Sequence, residues 1–522
     1  MNHQTIIIKL ATENKKQPYV ITPQFWDVKY NDENTLVKDI KINQLRLNRY
    51  LSQNGYKRFA IEQNYFFVFV QNNVCEMVTE VEIKDFVFSD IRKLDVLIDD
   101  AKLCHRDLLE NKLLTGISSY FNKEKLYQLK PLPADNFNKD TNDTKFIYYA
   151  NCYASITKNG ISINKYQDLT KCIWKDEILQ RNFYIGNYNP QNDTEQFFRF
   201  ITGRRDIFDT NKFNALNDRF EALKKITGYL LHNFFEYKLK AILLTDSTIS
   251  EDDEANGRTG KTLFCKIISH TLSNNPNDPA AKTFVELNGK DFDPLNDKKY
   301  QSLSIETKLM HLNDVKRYFD ADVLFNDITD GITVNKKFRD PFTILLKIIV
   351  STNKTIKLNG ESCKDRFLEF QFGDWFNSSY SPEKQFGKWL FRDWAQEDWR
   401  QYDLFMQQCS LAWMREQVLK DPQQINLSQR KLIDNTSTDF VDFMTELNPI
   451  GNEYSTSDLF DNFCTAYPDY ADLVKRNKFN NQRFKKWLIN WCNFNPGYKE
   501  YKKGTHTFRR DNKHHIKFLE NE

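Results

Sequence analysis

The residues with the clearest chemical potential are Ala255-Asn-Gly-Arg-Thr-Gly-Lys-Thr262. They follow a short apolar run, Lys240–Thr245, and precede Leu263, Phe264, Ile267 and Ile268 at helical spacing. A strand, a small-residue loop and a helix opening on Gly260-Lys261-Thr262 have the layout of a phosphate-binding loop. Gly257 and Gly260 let the backbone N–H groups of a loop that includes Arg258 and Thr259 turn inward around phosphate oxygens. The helix N-terminus adds a favourable dipole. Lys261 is expected to neutralise the β/γ-phosphates of ATP, and the Thr262 hydroxyl to ligate Mg²⁺. Ala255 stands where the usual pattern has its first glycine. Taken alone, an ordinary glycine-containing turn would read the same way.

Downstream residues add to the set. The apolar segment Lys308–Val315 ends in Asn313-Asp314, where acidic groups at a strand tip would hold Mg²⁺ through water and polarise the attacking water. Asn313 occupies a place where an acid is common, so Asp314 must carry more of that role, with Asp320 or Asp322 as further candidates. The β-branched run Ile344–Asn353 ends in Ser-Thr-Asn, and Asn353 at its tip can orient water against a γ-phosphate. Between these runs, Asp327–Lys337 reads as a hairpin with Lys336 and Lys337 near its tip. Arg366 opens the strand-like run that ends at Phe372. It either reaches a neighbouring subunit's γ-phosphate or makes a plain surface ion pair.

The elements that must position these residues belong to a chain of 522 residues, enough for two to four domains. Net charge is +3, so a polyanion-binding surface must be local. Nine cysteines scattered singly, with no C-x-x-C pair, fit a reduced compartment better than a zinc ribbon or a disulfide framework. No run is long enough for a signal peptide or a membrane span, so a cytoplasmic protein is expected.

Residues 1–140 read as an α+β module of unassigned role. It has short β-like runs at Thr5–Leu10, Tyr65–Val70 and Val81–Val87, a helix around Gln44–Asn54, and helical character from about 96 to 135, broken at Lys130-Pro-Leu-Pro-Ala-Asp135. Asp95, Asp99 and Asp100 lack the matching distant acid that a polymerising primase requires, and a solvated helix face suits them better. Residues 141–235 combine a hairpin, turning at Asn159-Gly160, with a helical collar or lid. The nucleotide domain spans 236–425, and the aromatics of 376–417 read as helix packing rather than base-stacking platforms.

From 436 to 522, three helices (Phe440–Glu446, Ser457–Ala466 and Asn481–Asn493) precede a hairpin formed by 498–504 and 505–511 and a last strand, His515–Leu519. That is the order of a winged helix. Arg483, Lys485 and Lys486 would lie on its recognition helix, and Lys502, Lys503, Arg509 and Arg510 on its wing, all placed for phosphate contact with duplex DNA. A basic solvated tail on a protein-interaction domain is the plainer alternative.

The ordered set AxxxxGKT, LMHLND, ITVNKK, IIVSTN and CKDRFLEF resembles the superfamily 3 helicases, a branch of the AAA+ ATPases of viruses, phages and plasmids. In particular it resembles their phage/plasmid primase-helicase-like, poxvirus-primase-like group. The likeness covers roughly residues 145–400. It implies an α/β multidomain chain with a central AAA+ P-loop ATPase, and a ring, by family expectation a homo-hexamer, that binds ATP and Mg²⁺ and passes single-stranded DNA through its channel. Lys261 and Thr262 would be the Walker A residues, Asp314 with Asn313 the Walker B pair, and Asn353 sensor 1. Arg366 would be a finger acting in trans, and Lys336 or Lys337 would contact DNA from a central-channel hairpin. A replicative DNA helicase of a mobile element is the function so implied. The alternatives are an ATP-gated DNA-binding initiator or platform with weak hydrolysis, which Asn313 favours, and a bifunctional primase-helicase.

Overall fold

A computed structural model describes residues 19–33, 37–61, 64–94, 105–203, 210–235, 239–247, 258–273, 282–316, 319–337, 340–353, 356, 360–425, 431–433, 435–494, 505–511 and 513–519. The chain is mixed α/β with several sheets. At its centre lies a five-stranded sheet ordered Phe284–Asn288, Leu309–Asn313, Lys347–Ser351, Ala241–Asp246 and Phe367–Phe372, with every pairing parallel. Parallel sheets need both faces covered, and the alternation along these strands meets that need. Ile242, Leu244, Ile349, Leu368 and Phe370 bury against the helices Thr210–Leu231, Lys261–Leu272 and Gln396–Glu416. Leu243, Met310, Leu312, Ile348 and Val350 bury on the opposite side.

The helices Thr210–Leu231 and Gln396–Glu416 approach closely at Gly228. A Cβ there would stand 2.2 Å from the Cys409 carbonyl oxygen and 2.6 Å from Trp413 Cβ, so only glycine allows this crossing.

The second face of the sheet is covered in part by the N-terminal region. A sheet ordered Ile173–Trp174, Val74–Val78, Asn64–Gln71, Tyr56–Ile61 and Pro131–Leu132 carries Phe59, Phe66, Val68 and Cys75. These residues share one core with Leu243, Met310, Ile332, Phe342 and Ile344. Residues read from sequence as a module apart are thus packed against the central parallel sheet and against the short hairpin Ile332–Val334/Phe342–Ile344.

Several local expectations need correction. Val81–Val87 is not a strand but part of the helix Glu80–Ile91. Thr79 and Glu82 form a capping box, and Ile83, Val87, Phe88 and Ile91 make its buried stripe, so the spacing was helical and the β-branched residues misled. Asp327 lies in the helix Phe325–Thr329 rather than a hairpin, and accepts a 2.5 Å hydrogen bond from the Tyr300 hydroxyl. The 96–135 stretch contains the helices His105–Thr115, Ile117–Tyr120 and Lys123–Leu126, and at the break read at Lys130–Asp135 stands the short strand Pro131–Leu132. Thr5–Leu10, Asp95, Asp99 and Asp100 lie outside the described residues.

The C-terminal region has its own core, centred on Phe440, Phe463, Phe484, Trp487 and Trp491. Its helices are Thr438–Leu447, Thr456–Ala466, Pro468–Lys475 and Asn481–Phe494, the third unforeseen. Ser437 and Ser455 cap the first two by accepting from the backbone N–H groups of Phe440 and Asp458. Its sheet is ordered Glu453–Ser455, Lys513–Phe518, Thr505–Arg510. The partner of Thr505–Arg510 is therefore the last strand, whereas the strand expected at 498–504 lies outside the described residues. No helix among the described residues is long and apolar enough to cross a membrane.

Candidate functional site

The parallel order brings the carboxyl ends of three adjacent strands together, and ligands of open α/β sheets bind at such ends. A cavity of about 730 Å³ opens there. It is lined by Arg258, Thr259, Gly260, Lys261, Thr262, Leu263 and Lys266 from the loop and its helix, and by Asn313 and Asp314 from the second strand tip. Ser351, Thr352 and Asn353 come from the third, and Ser381, Pro382, Glu383, Trp389, Leu390 and Phe391 complete the lining.

The loop is built for close approach. Gly260 caps the helix with φ of 104°, and a Cβ on it would meet the Phe197 ring at 3.0 Å and Ile201 at 3.2 Å. Among the described residues no side chain caps this helix, and no acid sits in its first turn. A helix N-terminus that opens on glycine in this way suits an anion. Lys261 is buried, and its ammonium donates to Asn353 Oδ1 at 2.7 Å and pairs with the Asp246 carboxylate, which also accepts from the Thr259 hydroxyl. Asp246 was not foreseen; its only signal was its place at the end of the apolar run. The Thr262 hydroxyl-bearing side chain is exposed at the cavity, and Gly257 lies outside the described residues.

Asn313 is held on both sides of its amide. Its Nδ2 donates to Glu286 at 3.0 Å and its Oδ1 accepts from the Ser351 hydroxyl at 3.0 Å. Behind it, fully buried His311 lies 2.8 Å from Ser351 Oγ through Nε2 and 3.2 Å from Glu286 through Nδ1. His311 and Asn313 hold the Glu286 carboxyl below the usual range, the His311 hydrogen bond being the larger cause. Asp314 follows with φ of 59°, a left-handed turn that aspartate tolerates better than most residues. Its carboxylate pairs with Lys290 at 2.7 Å in a solvent-exposed ion pair that a metal or phosphate can displace at little cost. The described residues contain no cluster of three or more His, Cys, Asp or Glu side chains suited to a metal.

These contacts yield a first prediction. Asn313→Asp sets two carboxylates against each other, since Glu286 then faces an acceptor in place of a donor. Loss of about 1 kcal/mol of stability is expected, the scale of one hydrogen bond. Glu286→Gln added to Asn313→Asp restores the donor–acceptor match. Thermal melts of the two variants check this, and a destabilised double variant would sink it.

The remaining candidates lie apart from the cavity. Lys336 is half-buried and Lys337 exposed, directly after the strand Ile332–Val334. Arg366 ends the helix Gly360–Arg366, where it bonds Ser362 and stands 4.9 Å from the Phe325 ring centre; it does not line the cavity. On the helix Asn481–Phe494, Phe484, Trp487 and Leu488 are buried while Arg483, Lys485 and Lys486 are exposed. Arg510 pairs with Glu453 at 2.9 Å, and Arg509 donates to His514 at 3.3 Å. Lys502 and Lys503 lie outside the described residues.

No protein-family model matches the chain, and no curated protein matches it. Among solved structures, two A-form apo structures of the NrS-1 C-terminal region superpose with TM-scores of 0.35 and 0.36 at 11% identity. They cover 92% and 91% of this chain and 100% and 99% of their own. Another apo structure of that region gives 0.33, also at 11% identity, over 92% of this chain and 99% of its own. Superpositions this loose carry no argument about this chain.

Proposed function

We propose that this chain is an Mg-ATP-dependent DNA helicase of the superfamily 3, AAA+ type, serving replication of a phage, plasmid or other mobile element as a ring on single-stranded DNA. The observation that carries this reading is the convergence of Lys261, Thr262, Asn313, Asp314 and Asn353 on one cavity at the carboxyl edge of a parallel sheet. Lys261 has the charge and reach to bind the β/γ-phosphates. Thr262 and Asp314 are the hard oxygen donors that would hold Mg²⁺, which supplies charge neutralisation on the phosphates when bound. Asn353 would set the attacking water. The exposed Arg483, Lys485 and Lys486, on a helix followed by a two-stranded hairpin, suit duplex DNA phosphates in a winged-helix reading of the last domain.

A second reading is an ATP-gated DNA-binding platform with slow turnover. The amide at Asn313, held by Glu286 and Ser351 where an acid is usual, favours it. ATP hydrolysis with and without single-stranded DNA, measured beside particle mass with and without Mg-ATP, separates the two. Strong stimulation with ring-sized particles is expected. Assembly without turnover leaves the platform, and no ATP binding sinks both.

A further inference from the structure

One part of the cavity's lining is not accounted for by phosphate chemistry. It comes from the segment 381–391, whose aromatics read from sequence as helix packing. For its neighbours that reading holds: Trp394 and Trp413 are 9% and 8% exposed. Trp389 is different. It is 50% exposed, yet it lines the same cavity as Gly260, Lys261 and Asn353.

The backbone is arranged to keep it there. Phe391 has φ of 68°, an uncommon left-handed conformation for a bulky aromatic, and such strain persists only where its surroundings enforce it. Phe391, which also lines the cavity, sets its ring against His270 at 4.2 Å and Trp394 at 4.6 Å, while Trp389 two residues earlier stays half open to solvent. The segment is anchored on either side of the indole. Lys388 pairs with Asp193 at 2.9 Å and Asp398 at 2.7 Å, and the backbone N–H of Trp389 donates to the Asp393 carboxylate at 2.8 Å. The Arg392 guanidinium stands 4.8 Å from the indole centre. A large flat ring, half open to solvent and fixed by ion pairs, costs little further ordering when a second flat ring stacks on it.

We propose that Trp389 is the base platform of this site: the purine ring of the nucleoside triphosphate whose phosphates Lys261 binds stacks on its indole. The inference rests on the nucleotide-binding reading above. A cavity of about 730 Å³ has room for a whole nucleotide, not the phosphates alone. Stacking accepts any base but gains most from the larger surface of a purine.

Calorimetric titration tests this with Mg-ATP, Mg-UTP and Mg-tripolyphosphate, the last having phosphates and no base. Trp389→Ala is expected to weaken Mg-ATP roughly 5- to 100-fold, the range for loss of one base–aromatic stack. Mg-UTP should weaken less, and Mg-tripolyphosphate should bind as to the wild type, which also reports that the loop is folded. Trp389→Phe should recover most of the ATP affinity. Unchanged ATP binding in Trp389→Ala overturns the proposal while leaving the phosphate site intact. Equal weakening of ATP and tripolyphosphate also overturns it, by reducing Trp389 to a support for the segment. Lys261→Ala run in parallel should weaken both ligands. If it weakens neither, the nucleotide reading itself fails, and this inference with it.

Discussion

Lys261→Ala is expected to cut ATP turnover on the order of 100- to 1,000-fold, the loss that follows removal of one preorganised charge or donor from a transferring phosphoryl group. It is also expected to destabilise the protein. Lys261 faces the carboxylate of Asp246, which is 2% exposed. Taking the cation away leaves a buried carboxylate without its charge partner beside the Thr259 hydroxyl, and breaking a buried pair in this one-sided way costs roughly 3–5 kcal/mol. Lost activity in the single variant would therefore be ambiguous between chemistry and unfolding. Adding Asp246→Asn separates them, because an amide keeps the shape and the hydrogen-bond acceptor but removes the charge. The double variant should regain most of the denaturation midpoint and none of the turnover. Phosphate release and urea melts on both variants read the two effects. Wild-type turnover in Lys261→Ala would end the phosphate-loop assignment, and an unmoved melting midpoint would show that the pair is solvated.

Much of the candidate site was legible because its residues announce themselves in short windows. The Gly-Lys-Thr loop, Asn313-Asp314 at the end of an apolar run and Asn353 at the end of another are local patterns, and the parallel pairing of their strands puts them on one cavity. What was not legible depends on register or on a single backbone angle. Glu286 meets Asn313 and His311 because the strand Phe284–Asn288 pairs in parallel with Leu309–Asn313, with Glu286 opposite His311. Nothing in the local run FVELN states that register. Trp389 stands in the same aromatic-rich run as the buried Trp394, and nothing in the composition of that run tells its half-exposed indole from the buried one; the left-handed turn at Phe391 between them is a single backbone angle. In the fold, the β-branched and aromatic content of 81–87 outweighed its spacing, although Thr79 and Glu82 already carried the helix-start signal. The packing of Phe59, Phe66 and Val68 against Phe342 and Ile344 joins residues some 280 apart in sequence, a pairing that periodicity cannot foresee.

Arg366→Ala is expected to bind ATP as the wild type does and to lose turnover by about 1,000-fold or more, the scale of an arginine finger. Affinity should be spared because Arg366 does not line the cavity of its own chain. Stability should change little. The side chain closes the end of a short helix on the Ser362 hydroxyl at 2.7 Å and rests 4.9 Å from the Phe325 ring centre, contacts worth about 1 kcal/mol in total at a partly exposed site. The decisive step is to mix this variant with Lys261→Ala. Each is inactive alone for a different reason: one has a competent site and no finger, the other a finger and no competent site. In a ring, an Arg366→Ala subunit beside a Lys261→Ala subunit has a complete interface, so mixing should restore part of the turnover at ATP concentrations that support assembly. A group acting within its own subunit cannot be rescued this way. No recovery on mixing, with mass measurement showing that the two variants do co-assemble, would return Arg366 to the role its contacts in the single chain describe, the end of a helix.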